Sequence, residues 1–438
     1  MIRNSEQQQT DHQQPEPRQT GQRRTPQRRT GPRSSTRRRT ELPGTNGRPA
    51  PHTVSITGAG AVTGYGWGQK FLREGLYASA PSIRPTPGFA PYFDDDLGWV
   101  SMVEDAGAVT DGPSRMMRAV RFAAREAIES AFDRGWRPGR TVGLVHGVVL
   151  GDVDHWREYH HRKGMGTTKR NWLELMPSTV LMEVMKEFDF HGPALSLGAM
   201  CASGPAGIMT AKTWIDTGMT DDVIVIASDL SISPENARSF AELGPLFIDR
   251  PPDETCRPFQ EGSRGFNPGE ASVAFVVSRR PSGALGTVLG AAMTNDGYHP
   301  VSIAPDYRQV RRAFVAALED AGVAASDIVY LNAHGTGTAQ CDHVESAIFD
   351  ELFPEAQGIF SFKPLVGHCQ AASGALEILG SLYGFETGVV PAPRRVAKGH
   401  PRLFDGLTVA NEGPVAKSSL GMGGNNAVVI LRPPDGTD

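Results

Sequence analysis

The chain has 438 residues, 50 of them glycine, with 39% hydrophobic and 21% charged residues and a formal net charge of −4. It is too long for one small domain, long enough to bury a large core, and contains no apolar run that could span a bilayer. Its four cysteines, Cys201, Cys256, Cys341 and Cys369, have no paired spacing, which argues against a disulfide framework or a zinc site and for a reducing cytoplasm.

The modest net charge hides an asymmetry. Residues 1–40 hold ten arginines against three acids, about +7, which leaves about −11 on the remainder. Residues 1–50 are rich in Gln, Thr and Pro and nearly free of large apolar side chains. Such a segment cannot bury enough surface to offset its ordering entropy, so a disordered, solvated tail is expected. Its charge alone would also suit a nucleic-acid or membrane tether.

Order is expected from His52. Val54-Ser55-Ile56 reads as a strand running into a glycine turn, and Gly58, Gly60 and Gly64 miss the spacing of a dinucleotide-binding loop. Ser114 can cap a helix whose buried face carries Met117, Val120, Ala124, Ile128 and Phe132, ending at Gly135. Thr141 to Val149 is a buried strand, and Gly151 to Arg170 a polar, loop-rich insertion. A helix around Met182 to Phe188 follows. Next comes a short β-type run, Ala194 to Leu197, then the small-residue turn Gly198-Ala199, Cys201, and an apolar helix. Asp222 to Ser228 and Ala271 to Ser278 are apolar strands of the kind found inside parallel sheets.

The later chain repeats this succession. Gln309 to Ala321 is an amphipathic helix. Ile328 to Ala333 is a strand ending in His334-Gly335-Thr336-Gly337-Thr338, with a helix from Asp342. Gly358 to Phe362 leads to Lys363, then to Gly367-His368 and a small-residue helix from Gln370 to Gly384. The glycine loop Gly421 to Asn426 precedes a last strand, Ala427 to Leu431. Two α/β halves of similar order suggest a duplicated fold, without a visible residue-level repeat.

Cys201 would sit where a buried strand turns into a buried helix. A thiolate there faces the positive end of the helix dipole and free backbone N–H groups, which lowers its pKa and makes a nucleophile. A small core cysteine is the alternative. Three further pieces fall at strand ends or turns, where sites in α/β sheets form: His334 to Thr338, Lys363 to His368, and Gly421 to Asn426.

A cysteine with two distant histidines in these motifs resembles the β-ketoacyl synthases of the thiolase-like fold, in the branch with a Cys-His-His triad. The resemblance runs from about residue 52 to 433 and includes CRPFQEGSRGFNPGEA (256–271), MPSTV (176–180) and NDGYHPVSIAPD (295–306). It implies two duplicated α/β halves, 51–300 and 301–433, in a five-layered αβαβα architecture. It further implies that Cys201 accepts an acyl chain as a thioester, with the backbone N–H groups of Cys201 and Met422 as oxyanion hole. His334 and His368 would bind the carbonyl of a malonyl-type extender and stabilise the enolate left by CO2 loss. Lys363 and Glu345 match a charged pair behind the histidines, and Thr336 and Thr338 match positions that hydrogen-bond a phosphopantetheine arm. The substrates would ride on an acyl carrier protein, with no cofactor or metal of the chain's own.

The chain departs from the family pattern at GAMCASG, at the Gly-Asn-Asn end of the last loop, at Gln260, and at Met422, where relatives carry an aromatic gate. These departures point to a specialised polyketide or fatty-acid synthase. A homodimer is expected, with a heterodimer as the variant, and Arg115, Arg118 and Arg121 are candidates for carrier docking. The other histidines, His160 and His161 included, are expected at the surface, and Cys341 and Cys369 in helix packing. Two readings stay open beside the leading one: a chain-length-factor-like partner subunit, and an acyltransferase that does not decarboxylate.

Overall fold

In the computed structural model, which describes residues 53–434 apart from 108, 163–167 and 281, one eleven-stranded sheet organises the chain. The N-terminal half supplies β1 (Val54–Thr63), β2 (Val142–Gly147), β3 (Ala194–Leu197), β4 (Asp222–Asp229) and β5 (Ala271–Ser278), besides an unnumbered two-residue strand, Gly66–Trp67, paired to β1. Its helices are α1 (Arg115–Asp133), α2 (Pro177–Glu187) and α3 (Ser203–Asp216). The C-terminal half supplies β6 (Gly286–Asn295), α4 (Arg308–Ala321), β7 (Tyr330–Asn332), α5 (Ala339–Leu352), β8 (Gly358–Phe360), α6 (Ser373–Thr387), β9 (Val415–Gly421) and β10 (Asn425–Arg432). The tail expected over residues 1–50 lies outside the described residues.

The two halves share one topology. The strand order runs β1-β5-β4-β2-β3 in the first and β6-β10-β9-β7-β8 in the second. In each, the first and last strands pair antiparallel and the outer three are mutually parallel. The halves meet through a short β1–β6 ladder, Val54 to Ile56 against Gly286 to Val288. The repeat therefore begins at β6, ahead of residue 300, because β6 is the strand that pairs with β10.

Alternation along the strands sorts the core into layers. Val145, Val225, Val273, Phe275, Val415 and Val429 point inward onto α3 and α6. Leu144, Ile224, Ile226 and Val276 point outward onto α1 and α2. Leu331, Ala416, Val428 and Ile430 pack outward beneath α4 and α5. The order helix–strand–helix–strand–helix is the five-layered architecture that the resemblance implies. No helix among the described residues is long and apolar enough to cross a membrane.

Several local expectations change. β1 does not turn at its glycines but runs on to Thr63. A Cβ on Gly58 or Gly60 would stand 2.2 or 2.1 Å from the carbonyl oxygens of Ala127 and Ala123, so these glycines let α1 lie directly on the strand. Ser114 caps α1 by accepting from the Met117 N–H at 3.1 Å. Phe132, in the last turn, is 39% exposed and leans on Trp136 rather than entering the core. The segment expected as a loop-rich insertion forms two helices, Val153–Arg162 and Lys169–Glu174, the second held by a Thr168 capping box. His160 and His161 are exposed on the first, but His146 is buried in β2, its Nε2 2.5 Å from Ser228 Oγ.

A residue-level trace of the duplication is present after all. Met200-Cys201-Ala202-Ser203-Gly204 and Gln370-Ala371-Ala372-Ser373-Gly374 occupy equivalent turns, each a single 3-10 turn leading into α3 or α6. Both open on a non-glycine residue in the left-handed region, Met200 at φ 51° and Gln370 at φ 42°. This conformation costs of order 1 kcal/mol per residue, so packing holds it. The helix starts face each other: a Cβ on Gly204 would lie 2.6 Å from Ala375 N, and one on Gly374 2.3 Å from Pro205 Cδ.

Candidate active site

The cysteine turn lies between an exposed edge and a buried helix. β3 is the last strand of the sheet and half-exposed, with Leu195 42% exposed, so the expectation of a buried strand there is corrected. The left-handed Met200 folds the chain back at once, and Ser203 Oγ accepts from the Ala199 N–H at 3.0 Å while donating to Met200 O at 2.7 Å. This clamp sets Cys201 at the floor of a cavity of about 350 Å³.

Three chain segments deliver the other groups. His334 follows β7, His368 follows the short helix Lys363–Val366, and the Gly421–Asn426 loop joins β9 to β10. Cys201 Sγ and ring nitrogens of His334 and His368 all lie within 4.8 Å of one another. The backbone N–H groups of Met422 and Cys201 both reach the sulfur. Gly421 permits this approach, since a Cβ there would stand 2.7 Å from Ala199 O and 3.2 Å from Cys201 N. The Met422 side chain, Thr336, Thr338 and Cys341 line the same cavity.

The electrostatics differ from the expected lowered thiol pKa. Burial pushes the Cys201 thiol up to about 12, against the opposing pull of the Lys363 charge and of the two N–H groups. The desolvation of a buried thiolate outweighs the helix dipole here. Cys201 therefore rests as a thiol.

Both imidazoles are held neutral. Burial depresses His334 and His368 well below the usual histidine range, and the Lys363 charge adds to this at each. His368 Nδ1 accepts the Gln370 backbone N–H at 3.0 Å, and His334 Nδ1 sits 3.3 Å from the Lys363 ammonium. With Nδ1 occupied as an acceptor on each ring, the single proton belongs on Nε2, so each ring offers a donor. The rings meet edge to face with centroids 5.4 Å apart. Two N–H donors beside a sulfur and two backbone N–H groups form a place for developing negative charge.

The expected Lys363–Glu345 pair is corrected. Lys363 bonds the His334 carbonyl and Glu377, whose Oε1 lies 2.7 Å from Nζ. Burial opposes the Lys363 charge, but Glu377 more than offsets this and the ammonium is stabilised. Glu345 instead accepts the backbone N–H groups of His334 and Gly335 at 2.8 and 2.7 Å and the Ser418 hydroxyl at 2.6 Å. It fixes the main chain that carries the histidine. Thr336 and Thr338 hydroxyls bond each other at 2.9 Å, and Thr338 also caps α5.

Sequence reasoning missed Glu377, Lys417 and Gln370. Glu377 and Lys417 form a second ion pair at 2.8 Å, both fully buried. The available signal was a single charge inside each of two apolar elements, SGALEILG and VAKSSLG. Gln370 lines the cavity with Oε1 3.8 Å from Cys201 Sγ. Arg115, Arg118 and Arg121 do not form a free basic patch: they are neutralised by Glu270, Asp105 and Glu187 respectively. Arg264, at the cavity rim, is exposed.

The chain matches the family model described as beta-ketoacyl synthase, N-terminal domain, over residues 52–282, and the C-terminal domain of the same family over 285–396. It is 28% identical over 425 residues to the tetracenomycin polyketide synthase ketoacyl synthase alpha subunit of Streptomyces glaucescens, covering 88% of this chain and 98% of that protein. It is also 28% identical over 342 residues to a 3-oxoacyl-[acyl-carrier-protein] synthase 2 of Staphylococcus aureus, covering 73% of this chain and 82% of that one. A solved type II PKS acyl-carrier protein in complex with its ketosynthase, bound to the hexaketide, superposes with a TM-score of 0.76. It is 21% identical and covers 87% of this chain and 100% of the other, a likeness of fold. With the two halves, the converging cysteine and histidines and the matched family models in agreement, the chain belongs to the beta-ketoacyl synthase family and is an acyl-condensing transferase.

Proposed function

We propose that this chain is a 3-oxoacyl-[acyl-carrier-protein] synthase of a type II polyketide or specialised fatty-acid pathway. The convergence of Cys201 with His334 and His368 beneath one cavity carries the reading. In the first half-reaction the Cys201 sulfur attacks an acyl thioester. The tetrahedral oxyanion is held by the Cys201 and Met422 N–H groups, and the thiol proton leaves with the departing pantetheine thiol. In the second, a malonyl thioester places its carbonyl on the two Nε2–H donors and loses CO2, and its enolate attacks the Cys201 thioester. A 3-oxoacyl chain departs on the carrier, and the released cysteine thiolate takes up one proton.

The substrates arrive on the phosphopantetheine of an acyl carrier protein, and the chain needs no metal or cofactor of its own. Thr336 and Thr338 face the incoming arm. The exposed Arg264 guanidinium at the rim suits its phosphate better than the neutralised Arg115, Arg118 and Arg121. A cytoplasmic homodimer is the working assembly, and a heterodimer with a second synthase-like subunit is its variant. A partner subunit without chemistry is disfavoured because Cys201, His334 and His368 converge at one cavity.

Intact-mass spectrometry with a panel of acyl carriers tests the reading. The wild type should gain an acyl mass and decarboxylate malonyl carrier. Cys201→Ala should lose the mass gain, and His334→Ala or His368→Ala should lose about 10²- to 10⁴-fold in decarboxylation while still loading Cys201. A wild type that loads but never decarboxylates would be the acyltransferase instead. One that does neither sinks both.

A further inference from the structure

Lys417 has no place in the chemistry above, yet it is fully buried in β9. The period of two along that strand puts Val415 on the inner face and Ala416 on the outer, so position 417 faces inward where an apolar side chain would fit the pattern. It stands opposite Asn332 of β7 and Val429 of β10. From there the Lys417 ammonium reaches the Ser418 carbonyl and Glu377, 2.8 Å from Oε2. The other oxygen of the same carboxylate holds Lys363 at 2.7 Å. One buried carboxylate thus bridges two buried ammonium groups.

The pairing leaves a positive excess around Glu377. Lys363 touches the His334 ring and carbonyl, and Glu345 supplies the balancing negative charge from α5, on the far side of the His334 backbone. The charges acting on the rings are Lys363 and Lys417, with Glu377 bonded to both lysines, Glu345 bonded to the His334 backbone, and Cys201 and the other ring beside each imidazole.

We propose that Lys417 is a positioning residue: it braces Glu377 against Lys363 and adds a second positive charge behind His334 and His368, keeping both rings as neutral Nε2–H donors. Protonating Nδ1 of His368 would break its bond from the Gln370 N–H, so ring neutrality and ring orientation are one condition. The Lys417 charge disfavours protonation of both rings, in the same sense as burial and Lys363. Burial lowers the Lys417 pKa itself, with Glu377 opposing that fall and Lys363 assisting it.

The inference rests on the synthase reading for its purpose but not for its test. ¹⁵N-histidine NMR titration of the full chain, with His334→Gln and His368→Gln for assignment, follows the two rings directly. In Lys417→Met, both midpoints should rise by about one pH unit or more, because a like charge has been removed at close range. The acid limb of malonyl decarboxylation should move up with them, with KM nearly unchanged. Folded Lys417→Met with wild-type ring midpoints overturns the proposal, and Lys417→Gln carries the same comparison if the Met variant does not fold. A failure of the synthase reading appears elsewhere, as a wild type that neither loads nor decarboxylates, and leaves the ring titration to decide the role of Lys417.

Discussion

The turn at Cys201 and the turn at Ala371 are the same piece of architecture put to different uses. Each follows the third strand of its half, opens on a left-handed residue, closes on Ala-Ser-Gly, and starts a buried helix against the other. The N-terminal copy places a sulfur at the helix start. The C-terminal copy places alanine there, and its contribution is His368, just ahead of the turn. The charges are divided as unequally. Lys363, Lys417, Glu345 and Glu377, gathered behind the histidines, all belong to the C-terminal half, while Arg118, His146, Lys212, Asp222, Asp229 and Glu270, buried in the N-terminal half, take other partners. The repeat sets two helix starts face to face over one cavity; one half carries the sulfur there and the other the histidines and the charges behind them.

The sharpest break of this division is at Glu377. Glu377→Leu would leave two buried ammonium groups without a carboxylate, and thermal unfolding should show a loss of about 3–5 kcal/mol. Glu345→Gln keeps the side-chain shape but removes the balancing charge and turns one oxygen that accepts a backbone N–H into an NH2 group; its cost should be smaller, about 1–3 kcal/mol. Equal losses would show that the bridge between the lysines is not the organising charge.

Symmetry is tested next, at the facing glycines. Gly204→Ala and Gly374→Ala each force a methyl group into backbone or proline at under 3 Å, and both should cost about 1–3 kcal/mol in denaturant unfolding. If one is tolerated, the two helix starts are not packed equivalently.

The smallest effect concerns the N-terminal half alone. Burial pushes His146 down to about 4, below its value of about 6.5 in an unfolded chain. Between these values the unfolded chain binds the extra proton, so stability is lost as pH falls through that window. Asp229, raised to about 6 by burial, acts oppositely: the folded state binds the proton and stability is lost as pH rises from about 4. The two opposed slopes cancel over most of the interval between pH 4 and 6, so His146→Gln should unmask the Asp229 slope, a stability that falls as pH rises from about 4 to about 6. A profile between pH 4 and 6 unchanged by the substitution would assign the acid dependence to other groups.

Much of the site was legible because its chemistry needs rare residues at fixed spacing. Cys201, His334, Lys363 and His368 each stand at a strand end or turn in motifs that exclude most alternatives, and the structure brings them together. Glu345 was placed correctly near the histidines but given the wrong partner. A carboxylate on α5 and one on α6 look alike in sequence, and only the packing of α6 between the halves sets Glu377 against the lysines. The glycines of β1 look like a turn in sequence because glycine punctuates loops as often as it admits a neighbouring backbone, and only the seating of α1 distinguishes the two.

By itself the sequence determined the alternation of strands and helices, the family motifs and the three side chains that converge, Cys201, His334 and His368, since these depend on local periodicity and on side-chain chemistry. Tertiary structure alone decided the protonation states. Whether Cys201 rests as thiol or thiolate, and whether two histidines stay neutral, depends on how much water is excluded and which charges lie within a few ångströms. Those distances join residues far apart in the chain, such as Lys363 and His334 at 3.3 Å, through the packing of two half-sheets around one pair of helices.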